Sequence, residues 1–212
     1  MSHSLTDPNR RPLSCKMLLA MAHRLTPATR TLNRCQFAIA SCLNNSGKKR
    51  SIHVEKRLEE LGIVLPPAPE PKANYNIICH APGDMLYVSG HLPITANGDL
   101  RTGPVGPETG GRTVEEGYEA ARHCGLNIIS TLKSQLGDLD RVEQVVKVFG
   151  IVNSHTEFKN QHMVIDGCSD VLMEVFRKPV GYHARSAIGT NTLPLDIIVE
   201  VEAIIKIKPA GE

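Results

Sequence analysis

An α+β fold of order ββαβαββ, with two helices covering one face of a sheet, follows from three features of the chain. Short runs rich in β-formers, separated by turn residues, lie at both ends and in the middle of the stretch from residue 74 to 208. Between them are two longer segments whose apolar residues recur at helical spacing. The last run, Val199-Glu200-Val201-Glu202-Ala203, alternates with period two. That places Glu200 and Glu202 on one face and the apolar residues on the other.

Each element has its own reason. Val54, Leu58 and Leu61 fall at i, i+4 and i+7 and predict a short amphipathic helix that Gly62 closes. Pro66-Pro67-Ala68-Pro69-Glu70-Pro71 reads as an extended linker, because each proline fixes φ and restrains its predecessor. Strands are expected over about Asn74–His80 and Met85–His91, joined at Pro82-Gly83, a good central pair for a type II turn. Asn97-Gly98 marks another turn, and a Gly/Pro-rich loop follows through Gly111. Thr113-Val114-Glu115-Glu116 is a capping box. The helix it opens keeps Val114, Tyr118, Ala121, Ile128, Leu132 and Leu136 in helical register up to Gly137. Arg141–Asn153 is valine-rich and reads as a strand. A second helix is expected over about Glu157–Arg177, with Val164, Ile165, Cys168, Val171, Leu172, Val175 and Phe176 inward and Pro179 beyond its end. The final two strands flank the turn Gly189-Thr190-Asn191-Thr192-Leu193-Pro194.

At 212 residues the chain suits one domain with an appendage, or two very small domains. The charge divides it at residue 53. Through His53 there are nine basic residues and one acidic residue, Asp7, whereas residues 54–212 are acidic overall. An Arg-rich, hydroxyl-containing, acid-poor start is expected to be a mitochondrial transit peptide, and the competing reading is a disordered basic arm that binds nucleic acid. Residues 54–212 then form the folded domain. The apolar run near Met17-Leu18-Leu19 is too short and too charged for a secretory signal, and no stretch is apolar enough to span a bilayer. The six cysteines show no CxxC spacing and the histidines no HxxxH, so no metal and no cofactor is expected. The body is acidic, has no tryptophan and offers no basic stripe or stacking platform, which argues against nucleic acid as a partner.

Arg185 is the only charged side chain between Lys178 and Asp196 when histidine is counted as neutral. A lone guanidinium among small residues beside a strand has two roles open to it. It pairs with an acid elsewhere in the fold, with Glu200 and Glu202 as candidates, or it holds a carboxylate or phosphate ligand through its planar fork. The string Ala184-Arg185-Ser186, then Leu193-Pro194, then the Val199–Ala203 strand resembles the C-terminal signature of the RidA family, also called YjgF or endoribonuclease L-PSP. Met85-Leu86-Tyr87-Val88-Ser89-Gly90-His91-Leu92-Pro93 resembles the family's apolar-Ser-Gly-x-apolar-Pro segment.

The resemblance implies a chorismate-mutase-like fold and a homotrimer with ligand sites in the clefts between subunits. It also implies hydrolysis of reactive enamines and imines of amino acids to 2-keto acids and ammonia. Carried onto this chain, it makes Arg185 the clamp for the substrate carboxylate and Glu200 the group that positions or activates water. Ser89 and Gly90 become the pocket floor, and Tyr75 the residue that closes the neighbouring pocket. His91 stands where the common type has a polar amide, Ala187 where many relatives have a cysteine, and Ser169 near a position often held by asparagine. The alternative is a non-catalytic trimer that binds or senses 2-keto acids with the same clamp. A ribonuclease fits poorly, since no His–Lys–His set for acid–base cleavage is evident.

Overall fold

The computed structural model of the chain describes residues 53–71, 73–106 and 110–209, all within the unit Ser51–Glu212. The basic leader, read above as a transit peptide, lies outside the described residues except for His53. The elements are helix α1 (Val54–Glu60), strands β1 (Ile78–Ala81) and β2 (Met85–His91), helix α2 (Val114–Leu136), strand β3 (Val142–Asn153), helix α3 (Gln161–Phe176), and strands β4 (Ala184–Thr190) and β5 (Val199–Ile207). The strands form one sheet in the order β1-β2-β5-β3-β4, antiparallel except for the parallel pair β3–β4. The ββαβαββ order and the helices on one face are those the sequence predicts.

The covered face is built from alternate residues. Val88, Ala203 and Val148 lie side by side on β2, β5 and β3 and are all buried. Against them pack Ile128, Leu132, Ile165, Val171 and Leu172 from the two helices. α2 and α3 touch closely because Gly167 has no side chain: a Cβ there would fall 2.0 Å from the carbonyl oxygen of Tyr118. The start of α2 is fixed by the predicted capping box. Thr113 Oγ1 accepts from the Glu116 N–H at 3.1 Å and the Glu116 carboxylate accepts from the Thr113 N–H at 2.8 Å. Gly137 ends it with φ 74°, a conformation that favours glycine.

The opposite face is open. Tyr87 and Ile188 are half exposed on it, and Phe149, Ile151 and Ile204 are partly exposed. No helix among the described residues is long and apolar enough to cross a membrane.

Three expectations change in detail. The first strand begins at Ile78 instead of Asn74, because residues 73–75 form a bend in which the Tyr75 N–H bonds the Ala73 carbonyl at 2.9 Å. The second helix begins at Gln161, since Glu157–Asn160 make a turn that buries Phe158 and bonds its N–H to the His155 carbonyl. The proline segment is a strap more than a linker. Pro66 is buried and its carbonyl accepts from Ser130 Oγ at 2.5 Å, while Leu61, Ile63 and Leu65 pack on the core.

Candidate functional site

Two groups of predicted site residues occur, and they stand apart. Glu200 on β5 pairs in register with Ile151 of β3, which pairs with Ile188 of β4, so all three face the open side. The register break in β2 brings Gly90 directly against Glu200, where a Cβ on Gly90 would lie 1.7 Å from Glu200 Oε1. Only glycine permits this approach. Burial raises the Glu200 carboxyl above the ordinary carboxylate range, and the like charge of Glu202 on the same face adds to the rise. Such a carboxyl is better matched to proton transfer near neutrality than a free one. Ser89, next in line, donates its hydroxyl to the Asn76 carbonyl at 2.8 Å. It also borders an open-face groove of 440 Å³, together with Tyr87, Lys147, Phe149, Glu202 and Ile204.

Arg185 belongs elsewhere. It pairs in register with Val148, which pairs with Ala203, and both are buried under the helices. Its side chain therefore points to the covered face, at the edge strand, and reaches α3. Nη1 donates to Asp166 Oδ1 at 2.7 Å and to Ser169 Oγ at 3.0 Å. The acid that pairs with Arg185 is thus Asp166, and the expected candidates Glu200 and Glu202 are excluded by facing the other way. Arg185 and Glu200 sit two strands and three residues apart, roughly 14 Å between backbones, with side chains on opposite faces. One chain does not bring them together.

Arg185 is nevertheless well prepared. Its side chain is 24% exposed, and both Nη1 protons are engaged. Among the described residues nothing bonds Nε or Nη2, which together form one of the guanidinium's two-pronged edges. Ser169 is fixed from its other side by His183. The ring Nδ1–H donates to the Gly181 carbonyl at 2.7 Å, so Nε2 accepts from Ser169 Oγ at 3.0 Å. Burial lowers the His183 pKa, the Gly181 bond opposes that, and the Arg185 charge adds to the lowering.

The remaining expectations divide. Tyr75 precedes β1 and is 47% exposed, at the far edge of the sheet from Arg185. His91 is a structural histidine. It is buried, its Nδ1–H donates to the Ser89 carbonyl at 2.7 Å and its Nε2 accepts from Thr131 at 2.8 Å, and burial pulls its pKa down to about 4. Sequence reasoning missed Asp166 and His183. The i, i+3 spacing of Asp166 and Ser169 on a helix facing the motif arginine was the available signal. Glu55, Asp138 and Asp140 also cluster, but Glu55 accepts from Lys133 Nζ at 2.6 Å and from the Leu139 N–H at 3.0 Å, and Asp140 from the Val54 N–H at 2.9 Å. These carboxylates tie α1 to the body.

Residues 55–206 match the family model described as "YjgF/chorismate_mutase-like, putative endoribonuclease". The chain belongs to the YjgF, or RidA, family. Protein TCP17 of Trypanosoma cruzi is 43% identical over 155 residues, which are 73% of this chain and 94% of the relative. Among solved structures, Atu1372 of Agrobacterium tumefaciens is 39% identical with a TM-score of 0.64, covering 74% of this chain and 96% of that one. A "putative endoribonuclease" of Shewanella oneidensis is 32% identical with a TM-score of 0.67, covering 73% and 99%. RidA membership thus accounts for the fold.

Proposed function

We propose that the chain hydrolyses reactive 2-imino and enamine acids to 2-keto acids and ammonia, at a site completed between copies of the chain in a homotrimer. The setting of Arg185 carries this reading. The motif arginine is held at a sheet edge through Nη1 alone, with its Nε–Nη2 edge left for a substrate carboxylate. Glu200, with its raised pKa, takes a proton from the water that adds to the imine carbon. Glu200 returns that proton to the nitrogen as the carbon–nitrogen bond breaks, so the added oxygen becomes the carbonyl and the nitrogen leaves as ammonia. Ser89 and Gly90 form the floor beside Glu200, and Tyr75 closes the pocket from the opposite sheet edge. Self-association is supported by the open face, where Tyr87 and Ile188 stand half exposed and need cover. No cofactor enters this scheme. In the same reading residues 1–53 direct the chain to the mitochondrial matrix, and cytoplasmic fluorescence of a leader fusion would count against that.

The test is keto-acid release from imines generated in situ by an amino-acid oxidase, with and without protein. Arg185→Lys keeps the charge but loses the fork, and is expected to weaken keto-acid binding by ~2–4 kcal/mol, roughly 30- to 1000-fold. Glu200→Gln is expected to leave binding nearly unchanged and to slow turnover on the order of 100-fold. Binding that survives Arg185→Lys sinks the clamp. One observation favours the second reading, a trimer that binds or senses 2-keto acids without turnover: Glu200 and Arg185 face opposite ways in one chain. Binding without turnover in the unmutated protein would decide for it.

A further inference from the structure

The guanidinium of Arg185 is held by one nitrogen, and that nitrogen has two acceptors. Asp166 Oδ1 takes one Nη1 proton at 2.7 Å and Ser169 Oγ the other at 3.0 Å. Both protons lie in the plane of the group, so two acceptors fix that plane, whereas Asp166 alone would let it turn about a single bond. The Nε–Nη2 edge lies on the far side of the group from Nη1. Its direction therefore depends on Ser169 as well as on the acid.

Ser169 is not free to choose its own direction. His183 Nδ1 meets the Gly181 carbonyl at 2.7 Å, and a carbonyl only accepts, so Nδ1 carries the ring proton. Nε2 of the neutral ring then offers a lone pair, and the Ser169 hydroxyl donates to it at 3.0 Å. With its proton committed to His183, Ser169 Oγ turns a lone pair to Arg185. The donors thus run one way, from Arg185 to Ser169 to His183 to the Gly181 carbonyl, and each bond in such a run strengthens the next. The run ends on backbone that has no room to shift. Gly181 is buried, its N–H donates to the Arg177 carbonyl at 2.6 Å, and a Cβ on it would lie 2.6 Å from the Leu172 carbonyl oxygen. Burial lowers the His183 pKa, and the Arg185 charge adds to the lowering against the Gly181 bond, so the ring stays neutral near pH 7. Resting on the reading that Arg185 holds the substrate carboxylate, we propose that His183 is a positioning residue: acting through Ser169, it sets the plane of the guanidinium and so aims the Nε–Nη2 edge at that carboxylate. Its effect on the substrate is indirect.

The experiment uses the full chain, with pyruvate binding followed by calorimetry and imine turnover by keto-acid release. His183→Phe keeps a ring and removes both nitrogens, and Ser169→Ala removes the hydroxyl. Each is expected to weaken pyruvate roughly 10-fold, in line with one lost bond to a charged group. KM for the imine should rise by a similar factor with kcat nearly unchanged, because the clamp grips substrate and transition state alike. A merely structural loss would instead lower kcat through a smaller folded fraction and leave KM alone. The double variant is expected to be no weaker than Ser169→Ala, since His183 acts through that hydroxyl. His183→Gln, which can still accept from Ser169, should recover most of the affinity. Losses that add in the double variant, or pyruvate affinity and KM unchanged in His183→Phe, overturn the inference. If the unmutated protein binds pyruvate without turnover, the binding arm carries the same test. If the variants do not fold, the ring nitrogen chemical shifts of His183 in the unmutated protein decide: a proton on Nδ1 and a bare Nε2 are expected, and a proton on Nε2 overturns the one-way run. Arg185→Lys separates the two levels. If it weakens pyruvate while His183→Phe and Ser169→Ala do not, the clamp stands and the role of His183 falls. If it leaves pyruvate binding intact, the clamp falls and the inference with it.

Discussion

On the covered face of the sheet a methyl group at Gly167 would run into the backbone of α2, whereas a methyl at Gly90 on the open side would meet the Glu200 side chain from Cγ to the carboxylate. The first contact is against backbone and has no room to relax. The second displaces a side chain and no backbone. The covered face is finished within one chain: Val88, Val148, Val201, Val199 and Ala203 are buried and the helices fit them closely. The open face is unfinished, with half-exposed Tyr87 and Ile188 beside two glutamates. Stability is concentrated on one side of the sheet and the proposed chemistry on the other. Arg185 is the exception, a proposed ligand residue anchored on the stable side.

This contrast makes substitutions diagnostic. The largest effect is expected from Gly167→Ala, which has to push α2 and α3 apart and should cost about 3 kcal/mol or more in chemical unfolding. A melt close to that of the unmutated protein would show that the helix pair is looser than the glycine contact implies.

Next comes acid sensitivity from His91, the buried histidine between β2 and α2. Its folded pKa, about 4, lies below the usual 6.5, so the unfolded chain binds the proton more readily. Its contribution is intact above about pH 6.5 and is lost as the pH falls toward 4. The full loss is about 3 kcal/mol at 1.36 kcal/mol per pKa unit. Unfolding free energy followed across that window should slope down toward acid, and His91→Gln should flatten the slope. An equal slope in the variant would assign it to other groups.

The smallest effect on stability belongs to Gly90→Ala, about 1 kcal/mol, because the Glu200 side chain from Cγ outward has to swing aside while no backbone moves. Imine turnover, however, should drop roughly 10-fold as that carboxylate leaves its place. Equal turnover would detach Glu200 from the chemistry.

Much of the fold is legible in short stretches of sequence. The capping box at Thr113, the stop at Gly137, the bounds of Met85–His91 and the shared face of Glu200 and Glu202 are set by contacts within a few residues, so local pattern reveals them. The facing of Arg185 is not local. It depends on the register of β4 against β3 and of β3 against β5, and the Arg-Ser-Ala-Ile-Gly-Thr run is too small and mixed to declare an inward face. The same holds for Asp166, which meets Arg185 only because α3 crosses that particular edge. Tyr75 lies three residues before the first strand, in a bend that its N–H closes on the Ala73 carbonyl, and alternation does not reveal such a bend.

The opposed directions of Arg185 and Glu200 have a consequence for inheritance. On the proposed scheme, a cell carrying one copy of the gene damaged at position 185 and another damaged at position 200 makes two products that each lack one half of the site. If a working site draws its arginine from one subunit and its glutamate from the next, assemblies containing both products recover some intact sites. Two defective alleles are then expected to rescue each other, whereas two alleles damaged at the same position are not.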